Sequence, residues 1–409
     1  MSLNLRTLDD IDLQNKKVFL RVDFNIPINN GVVGDCTRIE ASLPTIREIR
    51  QKGGRIALFS HLGRPNGCVN PKYSLKPLIK VLEEYFPNTP IVFKEGDYIQ
   101  NPENFWQNTD ENTIILAENI RFYEDEEKND IGFAKKLAQL ADIMVNDAFA
   151  TCHRSHASIV AITQFLPSFA GRLLESELTS LYHFYIQGKQ PFMAMIGGAK
   201  ISSKIEVLKK IIPKIQILGI GGGMANTFLL AQGYFIGKSL AESGQISIAK
   251  DILQQCQKLN KKVILPIDVV VAEELSPNTK VTIKNIDELS ENDCIFDIGP
   301  KTIALLKNAL NESKTLLWNG PLGAFETKPF DQGTHQFAQY ATLLTKEKKI
   351  TSITGGGDSV AALASLGLEK DFSYVSTGGG AFLEWIEGRI MPGLEVLFKN
   401  NPASCAILF

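Results

Sequence analysis

The 409-residue chain lacks the features of a membrane or exported protein. No apolar run approaches the roughly 20 residues that a membrane-spanning helix needs. The first residues, MSLNLRTLDDIDLQNKK, are polar and become acidic within ten positions, which is not the pattern of a signal peptide. These absences predict a soluble cytoplasmic protein that does not bind membranes.

Paired cysteines and an excess of charge are also missing. The six cysteines are scattered without a CxxC pattern, which predicts reduced thiols and no zinc site. The net charge of −2 gives no overall field that would hold nucleic acid or a membrane surface. Any site for an anionic ligand must therefore be built locally.

Short apolar runs alternate with amphipathic helical segments along the chain. We predict buried strands at 17–22, 55–60, 113–117, 142–147, 193–198, 214–223, 262–268, 315–320 and 350–357. We predict helices at 37–52, 130–141, 202–212 and 331–346. This alternation predicts βαβ units, and the length predicts two domains of α/β class. In such sheets ligands bind at the carboxyl ends of the strands.

Arginine and glycine are distributed unevenly between the two halves. Nine of the 11 arginines precede residue 160, whereas 22 of the 32 glycines lie from Gly197 onward. Arginine binds phosphate and carboxylate through its side chain, whereas glycine loops bind phosphate through backbone amides. Five arginines lie at strand-end motifs and predict a basic cluster facing an anionic ligand: Arg21, Arg38, Arg64, Arg121 and Arg154.

Three shorter motifs do not support other functions. HRSH at 153–156 lacks further ligands at metal-binding spacing. GYFIGKSL at 233–240 has three residues between its glycines where a P-loop has four, and a predicted helix precedes it. GIGGGMA at 219–225 has Met224 in place of the last glycine of the dinucleotide-binding fingerprint.

The stretch ITGGGDSVAALASLG at 353–367 has the form of a phosphate-binding loop that opens a helix. Asp358 places a negative charge where a phosphate would be expected. Taken alone, the stretch predicts only a generic phosphate-binding loop and does not explain the acidic residue within it.

A dozen motifs together resemble the phosphoglycerate kinase family. They extend from residue 21 to residue 384 in the family's order: RVDFNIP, RIEASLPTI, HLGRP, ENIRF, NDAFATCHRSHAS, GGAKISSKI, GGGMANTF, GKSL, DIGPKT, LWNGPLGAFE, GGGDS and STGGGAFLE. The resemblance implies reversible phosphoryl transfer from 1,3-bisphosphoglycerate to ADP, giving 3-phosphoglycerate and ATP in glycolysis and gluconeogenesis. It also implies magnesium, in-line transfer after closure of two lobes, small-molecule substrates and a monomer.

The implied fold has two Rossmann-like lobes, each a mostly parallel sheet with helices on both faces, joined by a helix and separated by a cleft. By this resemblance residues 1–169 form an N-terminal lobe that binds the phosphoglycerate. Residues 170–187 form the interlobe helix, and residues 188–390 form a C-terminal lobe that binds Mg-ADP or Mg-ATP. Residues 391–409 are expected to pack back on the N-terminal lobe.

The resemblance also implies individual site residues. Asp23 and Asn25 would lie at the hydroxyl and carboxyl side of the glycerate, and Arg38 and Lys200 would flank the migrating phosphoryl group. The substrate-binding set is Asp23, Phe24, Asn25, Arg38, His61, Leu62, Gly63, Arg64, Arg121 and Arg154. The nucleotide-binding set is Lys204, Gly221, Gly222, Asn319, Pro321, Glu326, Gly355, Gly356, Gly357, Asp358 and Ser359.

Within the nucleotide set, Gly221, Gly222 and Pro321 would border the adenine and Glu326 would bind the ribose. Asp358 would hold the magnesium, while the amides of residues 355–357 and Ser359 contact phosphate oxygens. Gly356 joins Arg38 and Lys200 in the catalytic set. The attacking group in the ATP-consuming direction is a carboxylate that is already ionised, so no general base is required.

The chain departs from the family pattern in three places. Arg172 and Ser176 stand where an apolar residue and a lysine are usual, and Ala150 and Cys152 where Gly and Ala are common. Residues 398–409 form a longer end whose apolar residues suit packing on the N-terminal lobe, pairing with another chain, or disorder. Two rival hypotheses are a non-catalytic phosphate- or nucleotide-binding protein with this fold and a nicotinamide-dependent dehydrogenase. The first predicts loss of Arg38, Lys200 or Asp358, which are all present.

Overall fold

The computed structural model describes residues 4–29, 31–96, 98–277 and 279–399, which divide into two compact units. The first unit comprises the residues up to Thr179 together with those from Arg389 onward. The second unit is Ser180–Gly388. Each unit contains a six-stranded sheet and a buried apolar core of its own.

The first unit is built on a parallel sheet. Its strands are β1 (Lys17–Arg21), β2 (Ile28–Asn29), β3 (Val32–Val33), β4 (Arg55–Phe59), β5 (Ile91–Lys94), β6 (Ile114–Ala117), β7 (Ile143–Asn146) and β8 (Ser168–Ala170). The order in the large sheet is β5-β6-β4-β1-β7-β8, and β2 pairs with β3 as a small antiparallel ribbon. The four residues of β7 are all buried, as expected for a strand covered on both faces.

Helices cover both faces of this sheet. They are α1 (Thr37–Gln51), α2 (Leu78–Tyr85), α3 (Glu124–Glu127) and α4 (Ile131–Ala138), with 3₁₀ turns at Leu8–Asp10, Pro71–Tyr73, Pro102–Asn104, Ile120–Phe122, Phe149–Thr151 and Ala161–Gln164. Helix α5 (Arg172–Gln187) begins in this unit and ends in the second. Neighbouring residues of β1 point to opposite faces, so that Leu20 lies in one apolar cluster and Phe19 in the other. The apolar strand sequence thus specifies a core on each side of the sheet.

The start of α5 is held by side chains of the first unit. Asp147 Oδ1 accepts hydrogen bonds from Leu173 N at 2.9 Å and Leu174 N at 3.2 Å. Arg172 forms ion pairs with three carboxylates, those of Asp9, Glu48 and Glu175. The arginine that departs from the family pattern therefore joins α5 to α1 and to the N-terminal 3₁₀ turn.

The second unit contains a parallel sheet and a smaller antiparallel one. Its strands are β9 (Phe192–Ile196), β10 (Ile217–Ile220), β11 (Lys262–Ile264), β12 (Asp268–Ala272), β13 (Thr282–Asn285), β14 (Cys294–Ile298), β15 (Thr315–Asn319), β16 (Thr351–Thr354) and β17 (Tyr374–Val375). The parallel order is β11-β10-β9-β15-β16-β17, and β13-β12-β14 form the antiparallel sheet.

The helices of the second unit follow most of these strands directly. They are α6 (Ile205–Ile211), α7 (Gly222–Ala231), α8 (Ile246–Lys258), α9 (Pro300–Glu312), α10 (Gln332–Lys346), α11 (Gly357–Ala364) and α12 (Gly380–Ile386), with 3₁₀ turns at Ile201–Ser203, Ser243–Gln245 and Glu369–Asp371. The buried carboxylate of Asp268 caps α9 by accepting from Lys301 N at 2.9 Å and Thr302 N at 2.7 Å. Such a cap satisfies amides that the first helical turn leaves unpaired.

One strand prediction is wrong. The run at 262–268 is not a single strand, because β11 ends at Ile264 and Asp268 already belongs to β12 in the other sheet. Pro266 lies between them, and proline has no N–H to donate to a strand ladder. The predicted run at 214–223 is also too long, since α7 begins at Gly222.

The chain returns to the first unit after Gly388. Helix α13 (Pro392–Glu395) follows, and Gly393 N donates to Cys152 O at 3.0 Å. Arg6 N donates to Leu397 O at 2.9 Å and Lys399 N to Asn4 O at 2.8 Å. The alternatives considered for 398–409 concern mainly residues 400–409, which lie outside the described residues. Within the described ranges, none of the helices combines the length and apolar character needed to cross a membrane.

Candidate functional site

Polar residues of the first unit gather where its central strands end. Asp23 and Asn25 follow β1, and His61 and Gly63 follow β4, which pairs with β1. Asn25 Oδ1 accepts a hydrogen bond from Gly63 N at 2.9 Å, so the two loops are joined directly. The carboxyl ends of neighbouring parallel strands thus form one polar edge of the sheet.

Arg38 reaches this edge from the first turn of α1. Its Nη1 donates to Asp23 Oδ2 at 2.8 Å and to Asn25 O at 3.0 Å. About a third of the side chain remains exposed, 33% of its maximum. One edge of the guanidinium is therefore held in place while other donors remain available for a ligand.

Arg121 also lies near the same loops. Arg121 Nη1 donates to Gly63 O at 2.9 Å, and its Nε lies 3.3 Å from a carboxylate oxygen of Glu127. Burial, together with the charges of Arg21 and Arg154, lowers the pKa of Arg121 to about 10. It remains a cation at neutral pH, so the polar edge carries a concentrated positive charge.

The remaining predicted substrate residues are placed differently. Arg154 is half-buried, with Nε donating to His153 Nε2 at 3.0 Å, and Arg64 is exposed. The side chains of Phe24 and Leu62 lie in the apolar core, so only their backbone can face a ligand. Phe24 N already donates to Ser60 Oγ at 2.8 Å.

Arg21 corrects the predicted cluster of five arginines. Its side chain is completely buried, with Nε donating to Ser158 Oγ at 3.0 Å and Nη1 to Val22 O. Its Nη2 lies 3.3 Å from His61 Nδ1. A guanidinium whose nitrogens all face protein atoms cannot contact an external anion, so Arg21 supports the polar edge from behind.

In the second unit the corresponding strand ends are joined through an amide. Asn319, the last residue of β15, is buried, and its Nδ2 donates to Gly355 O beyond β16. Lys204 Nζ donates to Asn319 Oδ1. The pKa of Lys204 is lowered, because the effect of burial exceeds the opposing effect of the charge of Asp358. Gly320 N donates to Ser359 Oγ at 2.6 Å. These bonds fix the loops after β15 and β16 to one another.

Two glycines allow the backbone to approach closely here. Gly356 has φ of +96°, and a Cβ at this position would lie 2.7 Å from Asn319 Nδ2. Gly222, at the start of α7, has φ of +67°, and a Cβ there would lie 2.7 Å from Gly198 O. Both positions combine the left-handed backbone that glycine favours with a lack of space for any side chain.

A cavity of about 430 Å³ opens beside these loops. Four residues of the predicted nucleotide set line it: Gly222, Pro321, Glu326 and Asp358. Its volume lies within the usual range for small-molecule sites, about 300–1,000 Å³. Lys200 is exposed and does not line the cavity. Gly221, Gly355 and Gly356 lie in the loops that precede α7 and α11, and Gly357 and Ser359 lie in the first turn of α11.

Motif reasoning missed the apolar wall of this cavity. Leu240 comes from the GKSL segment, Leu275 and Phe296 from the antiparallel sheet region, and Phe325 from the loop after β15. The GKSL motif contains Leu240 and the LWNGPLGAFE motif contains Phe325, but none of the motifs contains Leu275. Asp297 also lines the cavity, and burial raises its pKa to about 7 while Gly333 N and Ile298 N donate to it.

Comparison with known proteins identifies the family. The family model for phosphoglycerate kinase matches residues 8–389. The chain is 47% identical over 395 residues to a phosphoglycerate kinase of Methylorubrum extorquens (strain PA1), covering 96% of this chain and 98% of the relative. It is 45% identical over 397 residues to a phosphoglycerate kinase of Bradyrhizobium diazoefficiens, covering 97% and 99%.

Solved structures agree with the sequence relatives. Phosphoglycerate kinase from Coxiella burnetii has a TM-score of 0.87 and 39% identity, covering 96% of this chain and 98% of that one. The enzyme from Pyrococcus horikoshii OT3 has a TM-score of 0.80 and 28% identity, covering 99% and 100%. The chain belongs to the phosphoglycerate kinase family. The predicted family and two-lobed α/β class are confirmed.

Phosphoglycerate kinases transfer a phosphoryl group between 1,3-bisphosphoglycerate and ADP, and this is the reaction of the chain. Family membership confirms the predicted transferase activity in glycolysis and excludes the dehydrogenase hypothesis. A phosphoglycerate kinase must bind two anionic substrates. The two polar strand edges described above differ in their chemistry.

Proposed function

We propose that the first unit binds 3-phosphoglycerate or 1,3-bisphosphoglycerate and that the second unit binds ADP or ATP. The contrast between the two strand edges supports this division. The first edge carries guanidinium groups that match phosphate and carboxylate. The second has glycine loops beside a largely apolar cavity, which suits a purine and its phosphate chain.

In the first unit the positions of the side chains support specific roles. Asp23 and Asn25 contact the hydroxyl and carboxyl side of the glycerate, with backbone contacts from Phe24, Leu62 and Gly63. Arg121 and the neighbouring basic side chains bind the phosphate and carboxylate. The basic set is Arg38, His61, Arg64, Arg121 and Arg154.

In the second unit the cavity receives the nucleoside. Gly221, Gly222 and Pro321 border the adenine, and Glu326 binds the ribose. The bonded group of Asn319 and Lys204 lies along the phosphate chain. Gly355, Gly356 and Gly357 offer backbone amides, and Ser359, whose oxygen already accepts from Gly320 N, supports this loop and contacts phosphate oxygen.

The residues present fit a magnesium ion that arrives with the nucleotide. Within the described residues, no group of three or more His, Cys, Asp or Glu side chains could hold a metal by itself. Asp358 is an exposed carboxylate on the cavity wall, near the charge of Lys204. Magnesium is commonly bound by one or two carboxylates together with phosphate oxygens and water. We assign Asp358 as the protein ligand, and bound magnesium would neutralise phosphate charge.

The chemistry then depends on positioning and on charge stabilisation. The attacking carboxylate of 3-phosphoglycerate is ionised near neutral pH, so no residue has to remove a proton. Arg38, Lys200 and the amide of Gly356 serve as donors to the transferring phosphoryl group in an in-line transfer. Direct transfer requires both substrates to be bound at the same time and shielded from water, which closure of the units would provide.

Two simpler properties complete the proposal. We propose a cytoplasmic location, because the reaction belongs to glycolysis and the scattered cysteines suit a reducing compartment. We also propose that the chain acts as a monomer, since each substrate site is formed by residues of one chain. Sedimentation at assay concentrations measures this state, and a dimer would contradict it.

The reaction is measured as ATP formation from 1,3-bisphosphoglycerate and ADP. The division between the units is tested by calorimetric titration of two variants. Arg64→Ala should weaken 3-phosphoglycerate binding and spare ADP, whereas Glu326→Ala should do the reverse. Arg47→Ala, an exposed arginine of α1 outside the site, is the matched control. Loss of both ligands in either variant would contradict the assignment.

A further inference from the structure

His61 lies at the boundary between the proposed phosphoglycerate site and the interior of the first unit. Only 4% of the residue is exposed. Its Nδ1 lies 3.3 Å from Arg21 Nη2, on the interior side. Within the described residues, no protein atom forms a hydrogen bond with Nε2, so this nitrogen is available to a ligand.

Arg21 is fixed in the interior by several partners. Its Nε donates to Ser158 Oγ at 3.0 Å and its Nη1 to Val22 O. Ser158 in turn donates to the buried carboxylate of Glu126, through Oγ at 2.6 Å and through N at 2.9 Å. The guanidinium therefore cannot turn away from His61 without breaking this group, and its charge compensates that of Glu126.

The identity of the donor decides which imidazole nitrogen carries the proton. A guanidinium has five N–H donors and no acceptor, so the His61 nitrogen that faces it must present a lone pair. In a neutral imidazole the proton is then on the other nitrogen, Nε2. A ring rotated by half a turn would place a C–H group against Arg21 and leave the guanidinium donor without an acceptor.

We propose that Arg21 is a positioning residue that fixes His61 as the neutral Nε2–H tautomer, so that His61 donates a hydrogen bond to the phosphoglycerate without adding a positive charge. This inference deepens the proposed substrate site and rests on it. It assigns Arg21 a role at the site although Arg21 does not touch the ligand.

The charged groups around His61 favour the neutral form. Arg21, Arg121, Arg38 and His156 face it as cationic or potentially cationic groups, and burial together with these charges lowers the pKa of His61 well below its usual value. Asp23 is the opposing group, with Oδ1 3.9 Å from Nδ1. Its carboxylate already accepts from Arg38 Nη1 at 2.8 Å and from Asn25 N at 3.1 Å.

A neutral donor has a consequence for the pH dependence of binding. The second phosphate pKa of the substrate lies near 6, within the range where an ordinary histidine also titrates. With His61 held neutral, the Michaelis constant for 3-phosphoglycerate follows the ionisation of the substrate and not that of the imidazole. The site then needs no change of its own charge in this range.

Nitrogen NMR of the full chain labelled with ¹⁵N-histidine tests the tautomer directly. Long-range ¹H–¹⁵N correlation distinguishes protonated from unprotonated ring nitrogens, and loss of signals in His61→Gln identifies this residue. Without ligand we expect an unprotonated Nδ1 and a protonated Nε2 from about pH 8 to about pH 5.5, across the range where a free imidazole titrates. A proton on Nδ1, or double protonation near pH 6, would overturn the inference.

Addition of 3-phosphoglycerate separates this inference from the proposed function. We expect the Nε2 resonance of His61 to shift on binding while Nδ1 stays unprotonated. The expected tautomer without any response to saturating ligand would remove His61 from the substrate site and overturn its donor role. A response to the ligand with the opposite tautomer would retain the site and overturn the role of Arg21.

A pair of variants tests the role of Arg21 in fixing the tautomer. Arg21→Met combined with Glu126→Gln removes the donor without leaving a buried carboxylate uncompensated, and Glu126→Gln alone is the control. In the same nitrogen NMR experiment we expect the double variant to show intermediate shifts for Nδ1 and Nε2 of His61, because no donor then holds either tautomer, whereas the control should keep Nδ1 unprotonated. Arg21→Lys, which retains a donor, should also keep the Nε2–H tautomer. The same fixed tautomer in the double variant would indicate a merely structural arginine, and the spectrum of the unmodified chain decides the tautomer if the variant does not fold.

Discussion

At the strand ends of the first unit the side chains are charged and bonded to one another, whereas those of the second unit are mostly glycines around one buried amide. Arg38, Asp23 and Arg121 form ion pairs or hydrogen bonds across the first edge. Asn319 joins the glycine loops of the second edge. Both arrangements suit anionic ligands, but they depend on different properties of the protein.

The two arrangements have different costs. A cluster of arginines requires buried charges of both signs. Removal of one partner leaves the other charge buried and unpaired, which destabilises the fold by about 3–5 kcal/mol. Glycine loops carry no such charge, but they restrict a flexible residue and leave no space for a Cβ. The first unit should therefore respond most to changes of charge and pH, and the second to changes of side-chain volume.

Removal of the Arg38 guanidinium tests the charged edge most strongly. Because Arg38 is proposed to stabilise charge that develops during transfer, Arg38→Ala should lower kcat by about 10²–10³, the usual cost of losing one such donor. The Michaelis constants should change much less. Steady-state assays with both substrates measure the two effects separately.

Arg47→Ala on the same helix is the matched control, because Arg47 is exposed and outside the site. It should retain full turnover. A rise in the Michaelis constant of Arg38→Ala with kcat unchanged would mean that the guanidinium binds substrate and product without favouring the transition state.

A methyl group at Gly356 tests the second edge. Gly356→Ala would place a Cβ against Asn319 and would force a left-handed backbone on alanine, which costs about 1–3 kcal/mol. We expect the dissociation constant for ADP to rise by about tenfold or more, while 3-phosphoglycerate binding stays unchanged. Isothermal titration with each ligand measures both.

Gly244→Ala is the matched control in the same unit. Apart from its neighbours in the chain, no atom lies within 4 Å of its Cβ position, and the backbone of Gly244 does not have a positive φ. ADP binding should be the same as in the unmodified chain. If Gly356→Ala weakened both ligands equally, the defect would be a general loss of structure and not a local effect on the nucleotide loop.

The sequence predicted the strand ends of both edges, because apolar runs end in polar or glycine-rich motifs at β1, β4, β15 and β16. It could not predict the burial of Arg21. The side chain is held by a hydrogen bond from its Nε to Oγ of Ser158, which lies 137 residues later in the chain, and the RVDFN motif carries no sign of this contact. The antiparallel β12–β14 sheet was missed for a similar reason. Strands β13 and β14 are only partly buried and lack a continuous apolar run.

Asp358→Asn tests whether the acidic residue of the glycine loop serves a cation. Loss of the carboxylate charge should weaken binding of Mg-ADP by about fivefold to tenfold, because amide oxygen is a weaker ligand for a hard cation. Binding of ADP without magnesium should weaken less or improve, and 3-phosphoglycerate binding should not change. Titrations with and without magnesium measure the difference.

Equal loss of affinity for ADP with and without magnesium would contradict the proposed metal role. Glu326→Gln is the matched comparison, since Glu326 lines the same cavity and is assigned to the ribose. Its effect should not depend on magnesium. The contrast between the two carboxylates therefore separates a metal ligand from a hydrogen-bond partner.

The stability of each unit should respond differently to mild acid. In the first unit, burial and neighbouring arginines lower the pKa of His156 to about 3, and the pKa of His61 is also lowered well below its usual value. In the unfolded chain each of these two imidazoles binds a proton near pH 6.5, whereas in the folded unit it stays neutral to a lower pH. The stabilisation is therefore complete above pH 6.5 and is lost as the pH falls, by up to about 1.4 kcal/mol per pH unit for each imidazole.

Buried carboxylates act in the opposite direction. Burial raises the pKa of Asp147 in the first unit and of Asp297 in the second to about 7. Each folded unit then holds a proton between about pH 7 and pH 4 that the unfolded chain releases, so acid stabilises it. In the second unit neither His183 nor His335 is buried, so nothing comparable offsets Asp297.

Lowering the pH from about 6.5 to about 5.5 should therefore destabilise the first unit relative to the second by about 2 kcal/mol, because the two imidazoles each contribute about 1 kcal/mol and the two aspartates cancel. Hydrogen exchange, corrected for its intrinsic pH dependence, measures this at the central strands β1 and β9. Asp297→Asn should remove the gain in the second unit and narrow the difference. Equal losses in both units would show that the buried imidazoles of the charged edge do not set its response to acid.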